Sequence, residues 1–437
     1  MSKSHSKFIC QQCGYESTGW LGKCPSCDTW NSLVETVTGD TSATNNSKNK
    51  SRPGVKPVNL SSISSKKVSR ISTKISELDR VLGGGLVDGQ VVLLAGEPGI
   101  GKSTILLQLS DILKDVLYIA GEESATQISI RAQRLGVKSK KIQILEETNV
   151  DNVTAEIESN NDISCVIVDS IQTMFTGDLT GLAGSVGQVR ECAYRLLRTT
   201  KAKSIPLIIV GHVTKEGTVA GPAVLAHIVD TVLWFEGDKT LTLRMLRAYK
   251  NRFGPTDEVG IFTMEDKGLI SVTSAEKIFL SKDTKAVSGS CITSVLEGTR
   301  PILVEIQSLV VPTKMAFAKR TSQGFDSRRL ELMLAVLQKR CGIPLGDFDV
   351  FVNVVGGVTI KDPGADLAVC LSVASSYFDK PLPPRLVAIG EVDLLGEVRS
   401  AVSQEKRIKE ARRVGYSLIA SNKEAKYLNL AIKKYSR

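Results

Sequence analysis

Val91–Lys114 reads VVLLAGEPGIGKSTILLQLSDILK: an apolar run, a glycine-rich turn, then a segment with helical character. Gly96, Glu97, Pro98, Gly99, Ile100, Gly101, Lys102, Ser103 and Thr104 form a complete GxxxxGK[ST] pattern in the strand–loop–helix context it requires. The glycines allow backbone N–H groups to close around phosphate oxygens, and the helix N-terminus adds positive potential. Lys102 is suited to neutralising β- and γ-phosphate oxygens, and the Ser103 hydroxyl to ligating Mg²⁺. This stretch predicts a nucleoside triphosphate site, with ATP and Mg²⁺ as ligands.

Outward from it, DVLYIAG, CVIVDS, IPLIIVGH and TVLWFEG are short apolar runs separated by helical segments. Such runs read as strands buried on both faces, so a mostly parallel sheet with helices on either side is expected over residues 67–275. Asp169 ends CVIVD, where a carboxylate orders the water shell of Mg²⁺. Glu122 and Glu123 follow DVLYIAG, and a carboxylate there can polarise the attacking water, Glu122 being the first choice. His212 ends IPLIIVGH, where an imidazole can sense the γ-phosphate and move the loop after it.

The rest of the 437-residue chain divides by composition. Residues 37–66 are polar, rich in Ser, Asn, Lys and Pro, and read as a flexible linker. Residues 276–437 read as an α+β unit whose regular pattern begins near Val287: SGSCITSVLEGTRPILVEIQSL, the helix DSRRLELMLAVLQKR, the strand DVFVNVV and the helix ADLAVCLSVASSYF. Within residues 1–36, Cys10-Gln-Gln-Cys13 and Cys24-Pro-Ser-Cys27 lie ten residues apart. Two such knuckles complete a tetrahedral four-sulfur shell for Zn²⁺ with no open position, a structural site. Trp20, Lys23 and Trp30 offer this small module either DNA-stacking groups or its own core. The other five cysteines sit in mostly apolar surroundings and pack as small hydrophobes.

Hydrophobic residues at 42% and charged residues at 23% exclude a fibrous or largely disordered chain. No apolar stretch reaches the roughly 18 residues of a spanning helix, and MSKSHSKFIC lacks the apolar core of a secretion signal. A cytoplasmic protein with no membrane partner is expected. The net charge is +10, and the excess lies at the ends: ten Lys/Arg against four Asp/Glu in residues 1–70, and eleven against three in residues 399–437. That distribution suggests a polyanionic partner, nucleic acid first.

LDRVLGGGLVDGQVVLLAGEPGIGKST, YIAGEES, VIVDSIQTM, GHVTKEG and above all Lys250-Asn251-Arg252-Phe253-Gly254, joined to the four-cysteine module, resemble the RadA (Sms) family of bacterial DNA repair proteins. The likeness covers almost the whole chain, the linker excepted. It implies a zinc ribbon, a RecA-like P-loop ATPase core and a C-terminal unit similar to the Lon protease domain. It also implies a homo-hexameric ring that binds single-stranded and branched DNA, works beside a RecA-type recombinase, and drives branch migration in the manner of a helicase. In such a ring Lys250 and Arg252 are candidates for reaching a neighbour's γ-phosphate, the alternative being phosphate or DNA contact within one subunit. The loops Thr176–Gly187 and Thr214–Pro222 leave the nucleotide-bearing sheet edge, with Arg190 and Lys215 the nearest cations for DNA phosphates.

An ATP-dependent protease is the rival reading. A Lon-type dyad needs a serine and a lysine, and at the matching turn this chain has Gly364, with Glu405 near the position of the base. A scaffold and DNA surface is therefore expected, with Lys314, Lys319, Arg320, Arg328 and Arg329 as cations for duplex phosphates. A signalling ATPase similar to the circadian-clock ATPases shares the LGGGL and phosphate-loop arrangement, but neither the zinc module nor KNRFG is expected there.

Overall fold

Neighbouring residues of a strand face opposite ways, so a strand apolar at every position needs cover on both sides. Val92 and Leu94 pack on one side with Tyr118, Ile167 and Ile208, while Val91, Leu93 and Ala95 pack on the other with Leu117, Val166 and Ile209. Helices Ser76–Leu82 and Lys102–Ile112 cover the first side, and helices Val150–Ser159 and Val186–Ala202 the second. The structure, a computed structural model, describes residues 6–10, 15–26, 28–30, 32–37, 69–138, 140–212, 222–237, 243–272, 279–280, 287–315 and 317–436. Apart from Val37, the expected linker lies outside the described residues.

The chain divides into two compact units, Met1–Ser271 and Val272–Arg437. In the first, the central strands are β1 Val91–Gly96, β2 Val116–Ala120, β3 Ile142–Leu145, β4 Cys165–Asp169, β5 Leu207–His212, β6 Thr231–Glu236, β7 Leu243–Asn251, β8 Val259–Glu265 and β9 Gly268–Ser271. Their spatial order is β9-β8-β7-β6-β1-β5-β4-β2-β3. The six strands from β6 to β3 run parallel, and β7 to β9 add antiparallel neighbours at one side. The N-terminal module is a three-stranded antiparallel sheet of Ser6–Cys10, Glu16–Ser17 and Leu33–Val37.

The second unit holds a six-stranded sheet in the order Arg320–Gln323, Phe348–Val354, Arg300–Pro312, Ser290–Glu297, Leu386–Ala388, Leu418–Ala420. Helix Asp366–Tyr377, almost entirely buried, packs on its two central strands. This is the α+β arrangement expected. Among the described residues no helix is long and apolar enough to cross a membrane.

Candidate nucleotide site

Register across the parallel strands sets one row of side chains at their carboxyl ends. Gly96 pairs with His212 across β1 and β5, and Asp169 pairs with Ala120 across β4 and β2, two residues before Glu122. The crevice at the carboxyl ends of such strands is where α/β sheets bind ligands. Gly96 sits at φ 155°, and a Cβ there would lie 2.7 Å from the carbonyl oxygen of Phe235. Only glycine lets the loop leave β1 this close to β6.

Lys102 is 3% exposed rather than ending in solvent, as a loop residue would be expected to. Its Nζ donates to the carbonyl oxygens of Gly96 at 2.8 Å and Glu97 at 2.9 Å, which folds the side chain onto the loop. Burial pulls its pKa down to about 8, against the opposing charges of Asp169 and Glu122. A nucleotide polyphosphate would supply the negative charge this amine lacks. Asp169 is held by Tyr118, whose hydroxyl donates to Oδ2 at 2.6 Å. The second carboxylate oxygen and the Ser103 hydroxyl have the chemistry of Mg²⁺ ligands or of partners for its waters, so the donor set fits that ion.

The two glutamates separate cleanly. Glu123 pairs with Arg131 of the following helix Ala125–Leu135, while Glu122 accepts from the Ser170 hydroxyl and lies 3.2 Å from His212 Nε2. The His212 imidazole and the Ser170 hydroxyl hold Glu122 down at about 2, so it is ionised throughout the neutral range. The 3.2 Å approach is an ion-pair distance without hydrogen-bond alignment, and both ring nitrogens of His212 are buried without a hydrogen-bond partner. The loop after His212, including Lys215, lies outside the described residues. The other loop is pinned by Gln188, which bonds to Thr176, Leu179 and Gly181, and it leaves Arg190 exposed one turn into the next helix.

KNRFG occupies the opposite edge of the sheet. Lys250 pairs with Val232, which pairs with Leu93, and the amide of Asp230 donates to the carbonyl of Val91. Five residues of β1 separate Val91 from Gly96, about 16 Å at roughly 3.3 Å per residue. Lys250 Nζ donates to the carbonyls of Ala226 at 2.7 Å and Val229 at 2.8 Å, closing the end of helix Pro222–Ile228. Arg252 reaches the buried Asp230 at 3.3 Å, a carboxylate it shares with Lys201 at 2.9 Å. Neither cation reaches the phosphate loop of its own subunit in this arrangement, which leaves DNA contact as the alternative within one subunit.

Asn251 and Gly254 meet the LGGGL turn, a contact that neither stretch of sequence announces. Asn251 Nδ2 donates to the carbonyls of Val81 and Leu82, both at 3.3 Å, and Oδ1 accepts from the Phe253 amide at 3.0 Å. A Cβ on Gly254 would lie 3.0 Å from the Leu82 oxygen and 3.1 Å from Gly83 Cα. The turn and the motif are thus two sides of one close-packed joint. Asp230 and Tyr118 were missed as well.

In the N-terminal module Cys10 and Cys24 are fully buried in one small cluster with Leu33. The Cys10 amide donates to the Tyr15 carbonyl at 2.9 Å, and the Cys24 amide to the Thr29 carbonyl at 3.0 Å. Two of the four expected thiols are thus buried together, and cysteine sulfur is the donor that zinc takes in structural sites; Cys13 and Cys27 lie outside the described residues. Trp20 and Trp30 are 58% and 70% exposed, so they are not the core of the module.

The second unit corrects two expectations. Arg329 is not a free surface cation: its side chain is 31% exposed, and Nε and Nη2 donate to the fully buried Asp366 at 2.6 and 2.7 Å. Burial raises the Asp366 pKa above its ordinary value even with Arg329 beside it. Arg328 and Lys314 are exposed. Removing one partner of a buried pair strands the other, so Arg329→Ala should cost about 3 kcal/mol of stability, read as a lowered urea midpoint. Arg328→Ala should leave that midpoint unchanged.

Glu405 is likewise not the group beside Gly364. It is 76% exposed and pairs with Lys423 at 2.6 Å, whereas a Cβ on Gly364 would meet Arg407 Nη1 at 2.8 Å. Arg407 is buried on Asp362 at 2.5 Å and on the Ser294 carbonyl at 2.6 Å. Positions two apart on a helix point about 200° apart, so the inward group is Arg407.

The fold and this site define a RecA-type P-loop ATPase with an N-terminal zinc ribbon. The KaiC ATPase family matches residues 71–277, and the rubredoxin metal binding domain matches residues 8–35. The DNA repair protein RadA of Bacillus subtilis is 48% identical over 95% of this chain and 92% of its own length. Those of Listeria monocytogenes and Streptococcus pyogenes are each 46% identical, over 96% and 97% of this chain and 92% and 94% of theirs. A solved KaiC-like protein of Pyrococcus horikoshii aligns with 47% of this chain and 99% of its own at 19% identity, with a TM-score of 0.40, too low to add weight. The chain belongs to the RadA family of DNA repair proteins.

Proposed function

We propose that this protein is a DNA-dependent ATPase that assembles as a head-to-tail hexameric ring on single-stranded DNA. It would move along the strand and drive branch migration at recombination intermediates, beside a RecA-type recombinase in the cytoplasm. The observation that carries this reading is the placement of Lys250 and Arg252 at the sheet edge opposite their own phosphate loop. In a head-to-tail ring each subunit's surface meets a different surface of the next, so a cation remote from one nucleotide can approach another.

Bound Mg²⁺ would neutralise charge on the β- and γ-phosphates. Gly96–Thr104 wrap the phosphates, Lys102 turns from the loop carbonyls to the phosphate oxygens, and Ser103 and Asp169 orient the ion's shell. Glu122, ionised and a hydrogen-bond acceptor, orients and polarises the attacking water, and Lys250 and Arg252 of the neighbour meet the charge that develops as the bond breaks. Cys10, Cys13, Cys24 and Cys27 hold a structural zinc ion. The 276–437 unit serves as a DNA surface, since a peptidase of this type needs a hydroxyl where Gly364 stands. The test is three-strand exchange by a RecA-type recombinase: branches should extend faster with this protein and ATP, and an unchanged rate would refute the proposed role.

His212 carries the coupling. Its approach to Glu122 links the water-polarising carboxylate to the end of β5, the strand that the candidate DNA segment Thr214–Pro222 follows in sequence. His212→Ala removes the strongest influence holding Glu122 near 2, so the carboxyl rises toward its ordinary value yet stays ionised at neutral pH. The carboxylate survives while the link is cut. Stimulation of ATP turnover by single-stranded DNA should therefore fall at least about fivefold.

A further inference from the structure

Strand Arg300–Pro312 runs antiparallel to Phe348–Val354, and Arg320–Gln323 runs parallel to it on the other side. The chain between them must arch over the end of the middle strand. The feet of this arch are fixed: the Thr313 amide donates to Asp347 at 2.8 Å, the Lys319 amide to Asp349 Oδ1 at 2.7 Å, and the Val350 amide to Lys319 at 2.9 Å. Among its described residues two apolar side chains are bare, Met315 at 73% and Phe317 at 89% exposed. Lys314 and Lys319 are exposed on its shoulders with no acidic partner among the described residues, and Arg320 follows.

Two side chains of this size bury a few hundred Å² at most, well short of the roughly 800 Å² per partner of a stable protein interface. Cations beside an apolar point instead match the edge of a nucleic acid, where phosphates flank stacked bases. Met and Phe are among the residues that wedge between base steps while neighbouring cations hold the backbone.

We propose that the arch 313–319 is a wedge for duplex DNA: Lys314 and Lys319 hold phosphates on either side while Phe317, backed by Met315, enters a base step and unstacks it. This rests on the reading of the C-terminal unit as a duplex-binding surface and adds the deformation of the duplex. Flexible or already unpaired steps would be bound in preference, because they unstack at lower cost.

The test titrates the full-length protein, without nucleotide, into a duplex carrying 2-aminopurine, at several salt concentrations. Wild-type protein should raise the fluorescence of the unstacked base. Met315→Ser with Phe317→Ser should abolish that rise and weaken binding about tenfold, leaving the salt slope unchanged. Phe317→Leu in the wild-type background should keep the signal. Lys314→Gln with Lys319→Gln should lower the salt slope by about two units. These are exposed positions, and unchanged circular dichroism verifies the fold. If the serine variant binds and reports like wild type, the wedge is refuted while the duplex reading stands. If wild-type protein binds no duplex, both fall. A changed sedimentation coefficient with duplex binding intact would give the arch to a second copy of the chain and overturn the proposal.

Discussion

Lys102→Ala is expected to lower ATP turnover by about 100-fold or more, the loss seen when a preorganised charge at the transition state is removed. Lys102 is the one cation of the loop segment itself; Arg244 touches the loop from β7, but its guanidinium donates to the carbonyls of Ile100 at 3.2 Å and Leu243 at 2.8 Å, and Lys250 and Arg252 sit at the far end of their own sheet. The lysine is buried and bonded to Gly96 and Glu97. Its removal frees two carbonyls at the mouth of the site, where water can replace the amine, so the fold should persist. Circular dichroism checks the fold, and phosphate release checks the chemistry. Turnover near wild type would move the nucleotide elsewhere.

Arg252→Ala should lower DNA-stimulated turnover by about 1,000-fold or more, the lower end of the range known for arginine fingers. It is a cleaner variant than Lys250→Ala. Lys250 closes a helix end through two backbone carbonyls, whereas the Arg252 side chain is 57% exposed and its ion-pair partner Asp230 keeps Lys201. Each Arg252→Ala subunit retains a sound phosphate loop, and each Lys102→Ala subunit retains a sound finger. In an equal, fully exchanged mixture about a quarter of interfaces pair the two intact halves in the productive order. Activity should therefore reappear on mixing. A mixture no more active than its parts would place Arg252 in a role within its own subunit.

What sequence made legible was local. The run VVLLAG, the glycines after it and the helix after those are contiguous, so pattern alone placed the phosphate loop and the buried parallel strands beside it. Asp169 and His212 were readable because a strand end is visible in sequence as the point where the apolar run stops. The contact of Asn251 with Leu82 spans 169 residues, and nothing in either segment names the other. Helix phase was the second limit. Arg328 and Arg329 look alike in a charge pattern, but successive helix positions turn about 100°, and one of them meets a buried carboxylate. Glu405 was matched to Gly364 by sequence offset, while the inward face of that helix carries Gln404, Arg407, Ile408 and Ala411. Position in sequence already favours Glu122 over Glu123; the structure adds the partners that set the two apart, Arg131 for Glu123 and Ser170 and His212 for Glu122.

Steady-state ATP turnover by the wild-type protein, with and without saturating single-stranded DNA, tests the central claim most directly. A DNA-dependent ATPase requires a clear rise in turnover on adding the strand, lost in Lys102→Ala and, in unmixed protein, in Arg252→Ala. Turnover that is equal with and without DNA, in protein shown to bind the strand, would contradict it.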